Sequence, residues 1–206
     1  MAPSEHEGLL LIGGGGHAMV IAEAAMAEGI LLRGFLDDDP SARLYAAAPR
    51  LGGLADLERL QDGPVIIAMG DLSRRRELIG RLHRPATTVV HPSAIVSPSA
   101  TLGSGVFIGP LAVVHARARI GDHATVNTGA IVEHDCMVGL NSHIAPGAVL
   151  GGNVRVGPDT LVGIGSRLLP GSLVGARSVV GAGAVVLRTV GDGETAVGAP
   201  ARIIAR

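Results

Sequence analysis

The segment GDHATV-NTGAIV-EHDCMV-GLNSHI-APGAVL, residues 121–150, divides into five hexapeptides, each ending in an aliphatic residue: Val126, Val132, Val138, Ile144 and Leu150. Outward from it the same position is Leu, Ile or Val at every sixth residue from Val90 to Val186, seventeen times in succession. Two residues before each anchor, from Ala94 to Ala184, the chain carries only Ala, Ser, Thr, Cys or Val. Neither the helical period of 3.6 nor the strand period of 2 yields this two-position code, whereas a parallel β-helix of hexapeptides does. Each hexapeptide supplies one short strand and one corner, and three close a triangular coil. The anchors point into the prism and stack coil on coil, about 4.8 Å apart. Glycine follows the anchor at 103, 109, 121, 139, 151, 157, 163, 175 and 181, where the chain approaches or enters a corner without a Cβ penalty. The unbroken register predicts a smooth stack of about five coils.

Composition agrees. Aromatic residues make up 1% of the chain, too few for an ordinary globular core but compatible with stacked aliphatics. The net charge of −1 argues against wholesale binding to nucleic acid or a membrane surface. The single cysteine, Cys136, falls on an inward small position, so packing is its expected role; one cysteine allows no intrachain disulfide, in keeping with a cytoplasmic location. The apolar run Leu9–Ile12 is too short for a signal-peptide core or a membrane span.

Residues 1–86 follow another grammar, and the expected boundary with the repeat domain, 87–206, lies there. Leu9–Ile12 reads as a buried strand, followed by Gly13-Gly14-Gly15-Gly16-His17 and a helical stretch from Ala18 to Glu28. Strands are expected over Leu31–Leu36, ending in Asp37-Asp38-Asp39-Pro40, and over Val65–Met69, ending at Gly70. A second helix is expected from about Leu72 to His83, capped by Asp71 or Ser73. Alternating β and α elements predict a small parallel βαβ sheet with its binding edge at the strand C-termini. Gly13-x-Gly15-x-x-Ala18 with Asp37 fits a dinucleotide fingerprint in its alanine form, but it equally fits any phosphate at a helix N-terminus or a tight turn with no ligand. No Gly-Lys-Ser/Thr is present for a Walker-type site.

Two places break the hexapeptide code with polar chemistry. Glu133-His134-Asp135 replaces the glycine that usually follows an anchor, placing His134 at or beside a corner. An imidazole oriented by a neighbouring carboxylate suits a general base, and pairing the adjacent residues 134 and 135 requires the corner, since a flat strand would send them to opposite faces. A solvated polar corner is the plainer alternative. His143, one residue before Ile144 and nine after His134, points outward from a wall, with Asn127 in reach of the same wall. Two such histidines within half a coil suggest one site. Their spacing matches no zinc pattern, and no metal is expected.

Taken together, Gly13–His17, Leu36-Asp37-Asp38, Ala68-Met69-Gly70-Asp71, His91-Pro92-Ser93-Ala94, Asn127-Thr128-Gly129, Glu133-His134-Asp135-Cys136, Ser142-His143 and Val197-Gly198-Ala199-Pro200-Ala201-Arg202 give the chain a resemblance over nearly all its length. It resembles the bacterial sugar N-acetyltransferases of the UDP-4-amino-sugar and GDP-perosamine type, also known as sialic-acid O-acetyltransferases. The resemblance implies a left-handed β-helix, acetyl-CoA as co-substrate, a nucleotide-sugar acceptor and a homotrimer. It implies His134 as general base with Asp135 raising its basicity; some members have glutamate at the latter position. His143 would contact acetyl-CoA, with backbone near Gly152, Ile164 and Ala182 lining the pantetheine groove. Gly15, Gly16 and His17 would hold the nucleotide-sugar, with Asp37, Asp38 and Gly70 at the nucleoside end and Asn127 nearby. Outward Val113, Ile131 and Leu161 would be covered on trimerisation. The competing readings are sugar O-acetylation with the same donor, a non-catalytic sugar-binding scaffold, and, for the glycine turn alone, an NAD(P)-dependent oxidoreductase.

Overall fold

The computed structural model describes residues 8–44 and 48–204, so the two extreme ends of the expected domains, 1–7 and 205–206, lie outside the described residues. The first part is a parallel sheet. Strands β1 (Leu9–Ile12), β2 (Leu32–Leu36), β3 (Arg50–Gly52) and β4 (Val65–Ile67) stand in the order β3-β2-β1-β4. Helix α1 (Gly16–Ala27) follows β1, a four-residue helix α2 (Leu57–Leu60) follows β3, and α3 (Leu72–Ile79) follows β4. Leu9 and Leu11 face one cluster with Ile21, Ala25 and Phe35, and Leu10 and Ile12 face another with Leu57 and Leu78, so β1 is buried on both faces. The short strand β3 has no hydrophobic run to announce it. Asp71 caps α3 by accepting from Arg74 N at 2.9 Å. That helix ends at Ile79 with Gly80 as its C-cap, four residues short of the expected His83, and Arg81 N and Leu82 N turn back to the carbonyls of Leu78 and Ile79.

From Val89 onward the chain is a parallel β-helix whose two-residue strands build three walls. The first wall begins with Val89–Val90, the second with Ile95–Val96 and the third with Thr101–Leu102. Each strand pairs with the one 18 residues away, as Ile131 with Val149 and Thr125 with His143. The anchors from Ile108 to Val186 are buried in a single core; Val90, Val96 and Leu102 pack against it partly exposed at the open end. After Val186 the register shortens by two residues, Leu173 pairing with Thr189, and Val190 and Ala196 then extend the core by most of another coil. An antiparallel strand, Arg202–Ile204, closes the first wall.

The small positions have a second use. Ser142 Oγ, Thr160 Oγ1 and Ser178 Oγ donate to the carbonyls of Gly157, Gly175 and Gly191 at 2.6–2.7 Å, so these buried hydroxyls are satisfied. Cys136 Sγ makes the equivalent bond to Gly151 O, and burial pushes its thiol pKa up, which makes it a packing residue. Corners are turned three residues after the anchor, where Arg117, His123, Asp135, Asn141 and Gly129 have φ of 55–63°. The glycines directly after anchors serve close approach instead: a Cβ on Gly163 would lie 2.5 Å from Val180 O.

The N-terminal sheet sits on the first wall. Val89 and Phe107 join the cluster around α1, and Arg75 of α3, 2% exposed, donates to Thr125 Oγ1 at 3.1 Å and to the His123 carbonyl. Leu161 also lies on this wall, so it does not share a flank with Val113 and Ile131, which stand on the second. There Ile95, Val113, Ile131, Val149 and Val185 form an outward apolar column interrupted only by Arg167. Among the described residues no helix is long and apolar enough to cross a membrane.

Replacing Gly163 with Ala should destabilise the chain by about 1–3 kcal/mol, because the obstructing atoms are backbone of the next coil and can yield only by spreading the ladder. Urea denaturation checks this; a midpoint equal to wild type would show that the coils have slack.

Candidate active site

The glycine turn runs from the end of β1 into α1, and its inner residues are fixed by packing. Gly13 N donates to Leu36 O at 2.8 Å, Gly14 N donates to Asp37 Oδ2 at 2.7 Å, and a Cβ on Gly14 would strike the Phe35 ring. At Gly15 and Gly16 a Cβ would meet nothing within 4 Å, so no internal contact demands glycine there. These two positions border open space at the N-terminus of α1, where free N–H groups favour an anion. A cleft of roughly 260 Å³ opens there, lined by Gly13, Gly15, His17, Asp37, Ala68, Met69, Gly70, Asp71 and Arg74. It sits at the C-terminal ends of β1, β2 and β4, as expected for a parallel sheet. Asp37 also holds the turn together, its other oxygen accepting from Asp39 N at 2.8 Å. Asp38 is outside the lining; its carboxylate accepts from Leu54 N at 2.8 Å and fixes the loop after β3.

His17 leads from the cleft to the prism. Its ring packs edge-on against Phe107 at 5.8 Å and tilts over His143 at 5.7 Å. His143, 9% exposed, faces outward from the first wall, yet the His17 ring of α1 covers it. Asn127 Oδ1 accepts from Thr128 N at 2.7 Å, which leaves its Nδ2 to donate to His143 Nε2 at 3.0 Å. Network geometry therefore assigns His143 as the neutral Nδ1–H tautomer. Burial, then neighbouring His17 and Arg75, push the His143 pKa down to about 3. Burial and then Arg75 push His17 down to about 4. Arg75 itself is lowered to about 10 by burial, and its Nε, like His17 Nε2, has no hydrogen-bond partner among the described residues.

His134 is elsewhere. It lies at the edge between the second and third walls, with a side chain 57% exposed, and its Nδ1 is 2.7 Å from Asp135 Oδ2. The positive φ of Asp135 turns its side chain back beside its neighbour, which is the corner that the pairing required. With Nδ1–H donated to the carboxylate, Nε2 carries the lone pair. One coil above is Gly152, where a Cβ would sit 2.7 Å from that Nε2, so glycine makes room for the ring. Asp135 is held well below the usual carboxylate range by hydrogen bonds first from Arg117 and then from His134.

The spacing of nine residues, read as proximity, means the opposite here. Half an 18-residue coil carries the chain from an edge to the facing wall, so His134 and His143 of one chain stand on opposite sides of the prism. Ile164 and Ala182 occupy a third location, the edge between the first and second walls, and both are exposed. The structure thus joins Gly15, Gly16, His17, Asp37, Gly70, Asn127 and His143 in one region, joins His134, Asp135 and Gly152 in another, and leaves Ile164 with Ala182 apart. Sequence reasoning missed Arg75, Arg74, Phe107 and Arg117. Of these only Arg117 carried a signal, lying 18 residues before Asp135. No group of three or more His, Cys, Asp or Glu among the described residues is arranged to hold a metal ion.

Residues 8–82 match the PglD N-terminal domain family, and residues 117–152 match the bacterial transferase hexapeptide (six repeats) family, with which the left hand of the coil agrees. A perosamine N-acetyltransferase from Caulobacter crescentus, solved in complex with CoA and GDP-perosamine, is 37% identical, with TM-score 0.91 and 97% of each chain covered. The acetyltransferase domain of PglB from Neisseria gonorrhoeae, solved with acetyl coenzyme A, is 36% identical, with TM-score 0.89, covering 95% of this chain and 98% of that one. The UDP-N-acetylbacillosamine N-acetyltransferase of Bacillus subtilis is 40% identical over 108 residues, 48% of this chain and 49% of the relative. The chain spans 20% and 49% of the lengths of the two curated relatives it matches.

Between pH 7 and pH 5 an unfolded chain protonates His17 while the folded chain, with its pKa near 4, does not. The unfolded state then binds more protons, so stability is lost as the pH is lowered from 7 to 5. His17→Phe should flatten that fall, measured as urea midpoints at pH 7 and pH 5; an equal fall in both proteins would place the titrating group elsewhere.

Proposed function

Since this chain belongs to the family of bacterial sugar N-acetyltransferases in which a PglD N-terminal domain precedes a left-handed hexapeptide β-helix, we propose that it acetylates the amino group of a nucleotide-activated amino-sugar with acetyl-CoA. The observation that carries this reading is the co-occurrence of a glycine-lined anion cleft with the oriented His134–Asp135 pair. Residues 1–86 deliver the sugar nucleotide, and 87–206 supply the chemistry. The exposed N-terminal turn of α1 at Gly15 and Gly16 receives the diphosphate, and the Asp37 and Gly70 side of the cleft receives the nucleoside.

His134 Nε2 accepts a proton as the substrate amine attacks the thioester carbonyl; the C–N bond forms, the C–S bond breaks, and the thiol leaves with a proton. Asp135 fixes the tautomer and stabilises the imidazolium. With its pKa pushed down to about 3 by burial, His143 is neutral near pH 7 and is suited to act as an uncharged hydrogen-bond donor through Nδ1.

Because a chain's own cleft and its own His134 lie on opposite sides of the prism, the working site takes the cleft, His17 and His143 from one copy and His134 from the next. The apolar column on the second wall is the surface on which copies pack, and cyclic trimerisation brings each cleft to a neighbouring edge. The same packing lets Ile164 and Ala182 of one copy share an acetyl-CoA groove with Gly152 of another. The reading includes action on a water-borne nucleotide-sugar in the cytoplasm.

His134→Ala should lower kcat by at least about a hundredfold with circular dichroism unchanged; near-normal turnover, followed as free thiol release, would remove His134 as the base. Mixing His134→Ala and His143→Ala proteins after dissociation should restore up to about one quarter of wild-type activity, the random chance that an intact cleft meets an intact base. Absence of recovery would place each site within one chain.

A further inference from the structure

The second–third edge holds one side chain that the reaction has not yet used. Arg117 occupies the same corner position as Asp135, 18 residues earlier, and both have left-handed backbone, φ of 57° and 60°. Equal corner geometry in successive coils sends the two side chains out in the same direction, and they meet as a fork: Arg117 Nε reaches Asp135 Oδ1 at 2.6 Å and Nη2 reaches Oδ2 at 2.7 Å. Oδ2 is also the atom facing His134 Nδ1, at 2.7 Å. One carboxylate is thus shared between a guanidinium below it and the imidazole beside it.

We propose that Arg117 is a positioning residue for the reacting base: from one coil below, it holds the Asp135 carboxylate in the orientation that offers Oδ2 to His134, and it takes a share of that carboxylate's charge. The proposal rests on the reading of His134 as the base. An aspartate has one side-chain torsion fewer than a glutamate, but a lone exposed aspartate at a corner would still exchange rotamers in solvent. A bidentate guanidinium fixes both oxygens at once, which a point-charge ammonium would not do. The sharing also means that the carboxylate's charge is not directed at the imidazole alone. An imidazole facing an undivided carboxylate holds its proton to higher pH and is charged, hence inactive as a base, over more of the neutral range.

The other charges around His134 are few. Glu133 Oε2 accepts from the His134 backbone N–H at 3.4 Å, and its Oε1 faces His115 Nε2 at 3.7 Å, so its carboxylate is divided between the two. Gly152, above the ring, brings no charge. Arg117 is therefore the cation linked directly to the Asp135–His134 pair.

The test is an NMR titration of the imidazole Cε1–H resonances in the intact protein without substrates, with the His134 signal assigned through His134→Asn. Arg117→Met should raise the His134 midpoint by about half a unit or more. The acid limb of kcat/KM should move upward with it, so that activity is lost more at pH 6.5 than at pH 8.5. Arg117→Lys should fall between the two. Asp135→Asn, which a left-handed corner tolerates, should lower the midpoint. Adding Arg117→Met to Asp135→Asn should then change nothing further, because Arg117 acts through Asp135. A midpoint and limb unmoved in Arg117→Met would overturn the proposal. So would a shift of equal size in the Asp135→Asn background, or a rise in KM for acetyl-CoA with an unmoved limb. Should Arg117→Met not fold, the Arg117→Lys and Asp135→Asn pair carries the same cycle. Persistent turnover in His134→Asn would overturn the functional reading alone and leave the titration result standing.

Discussion

Everything in this chain depends on the closure of a coil in 18 residues. Backbone N–H groups of one coil bond to carbonyls of the next, as Ile131 N to Ala148 O at 2.9 Å, and this fixes the spacing at which Val114, Val132, Leu150 and Leu168 stack. The stack in turn needs a small residue beside each anchor and no Cβ directly after most of them, because the next coil runs too close. A narrow prism holds no room for large aromatic side chains, which explains how a chain with two phenylalanines and one tyrosine has a continuous core. Polar small residues enter that core without penalty because Ser142, Thr160 and Ser178 each find a carbonyl.

The same closure distributes chemistry around the prism. A residue's distance in sequence, taken modulo the coil, decides which edge or wall it occupies. His134 and Gly152, a whole coil apart, touch; His134 and His143, half a coil apart, face away from each other. A chain built this way presents the His134–Asp135 pair on one side and the glycine-lined cleft on the other, which is why the proposed site draws on two copies. Ile95, Val113, Ile131, Val149 and Val185 stand in one outward apolar column on the second wall.

The junction between the two parts is polar at its centre. Arg75 is buried against Thr125 and the His123 carbonyl with no carboxylate bonded to it among the described residues, and burial of the His17, His143 and His123 rings, with the charge of Arg75 added, lowers the pKa of all three. An unpaired buried guanidinium and neutral histidines are mutually consistent: protonating either ring would place a second cation in the same dry region. Arg76 ties the outer side of α3 to Asp159, so the helix is pinned to the prism at two depths. In the run Arg74-Arg75-Arg76 nothing distinguishes the buried arginine from the solvated ones, because helix phase alone does not say which face the prism will cover.

The sequence by itself determined the repeat, the glycine turn, a cap at Asp71 or Ser73, the inward role of Cys136 and the corner at His134, because each follows from residues adjacent in the chain or from a period the chain repeats; the structure chose Asp71. It reached Arg117 only in principle, through the interval of 18. What the tertiary structure alone decided is non-local: that β3 joins the sheet, that α3 stops at Ile79, that Asp38 serves a loop instead of the cleft, and that Leu161 lies on the wall beneath the N-terminal sheet. It also decided that His143 is buried and neutral while His134 is exposed on the far edge. Periodicity fixes a residue's phase on the prism, but which phase meets the N-terminal sheet and which meets solvent depends on contacts between segments 50 to 70 residues apart, such as Arg75 with Thr125 and Leu72 with Asn141, which no local pattern encodes.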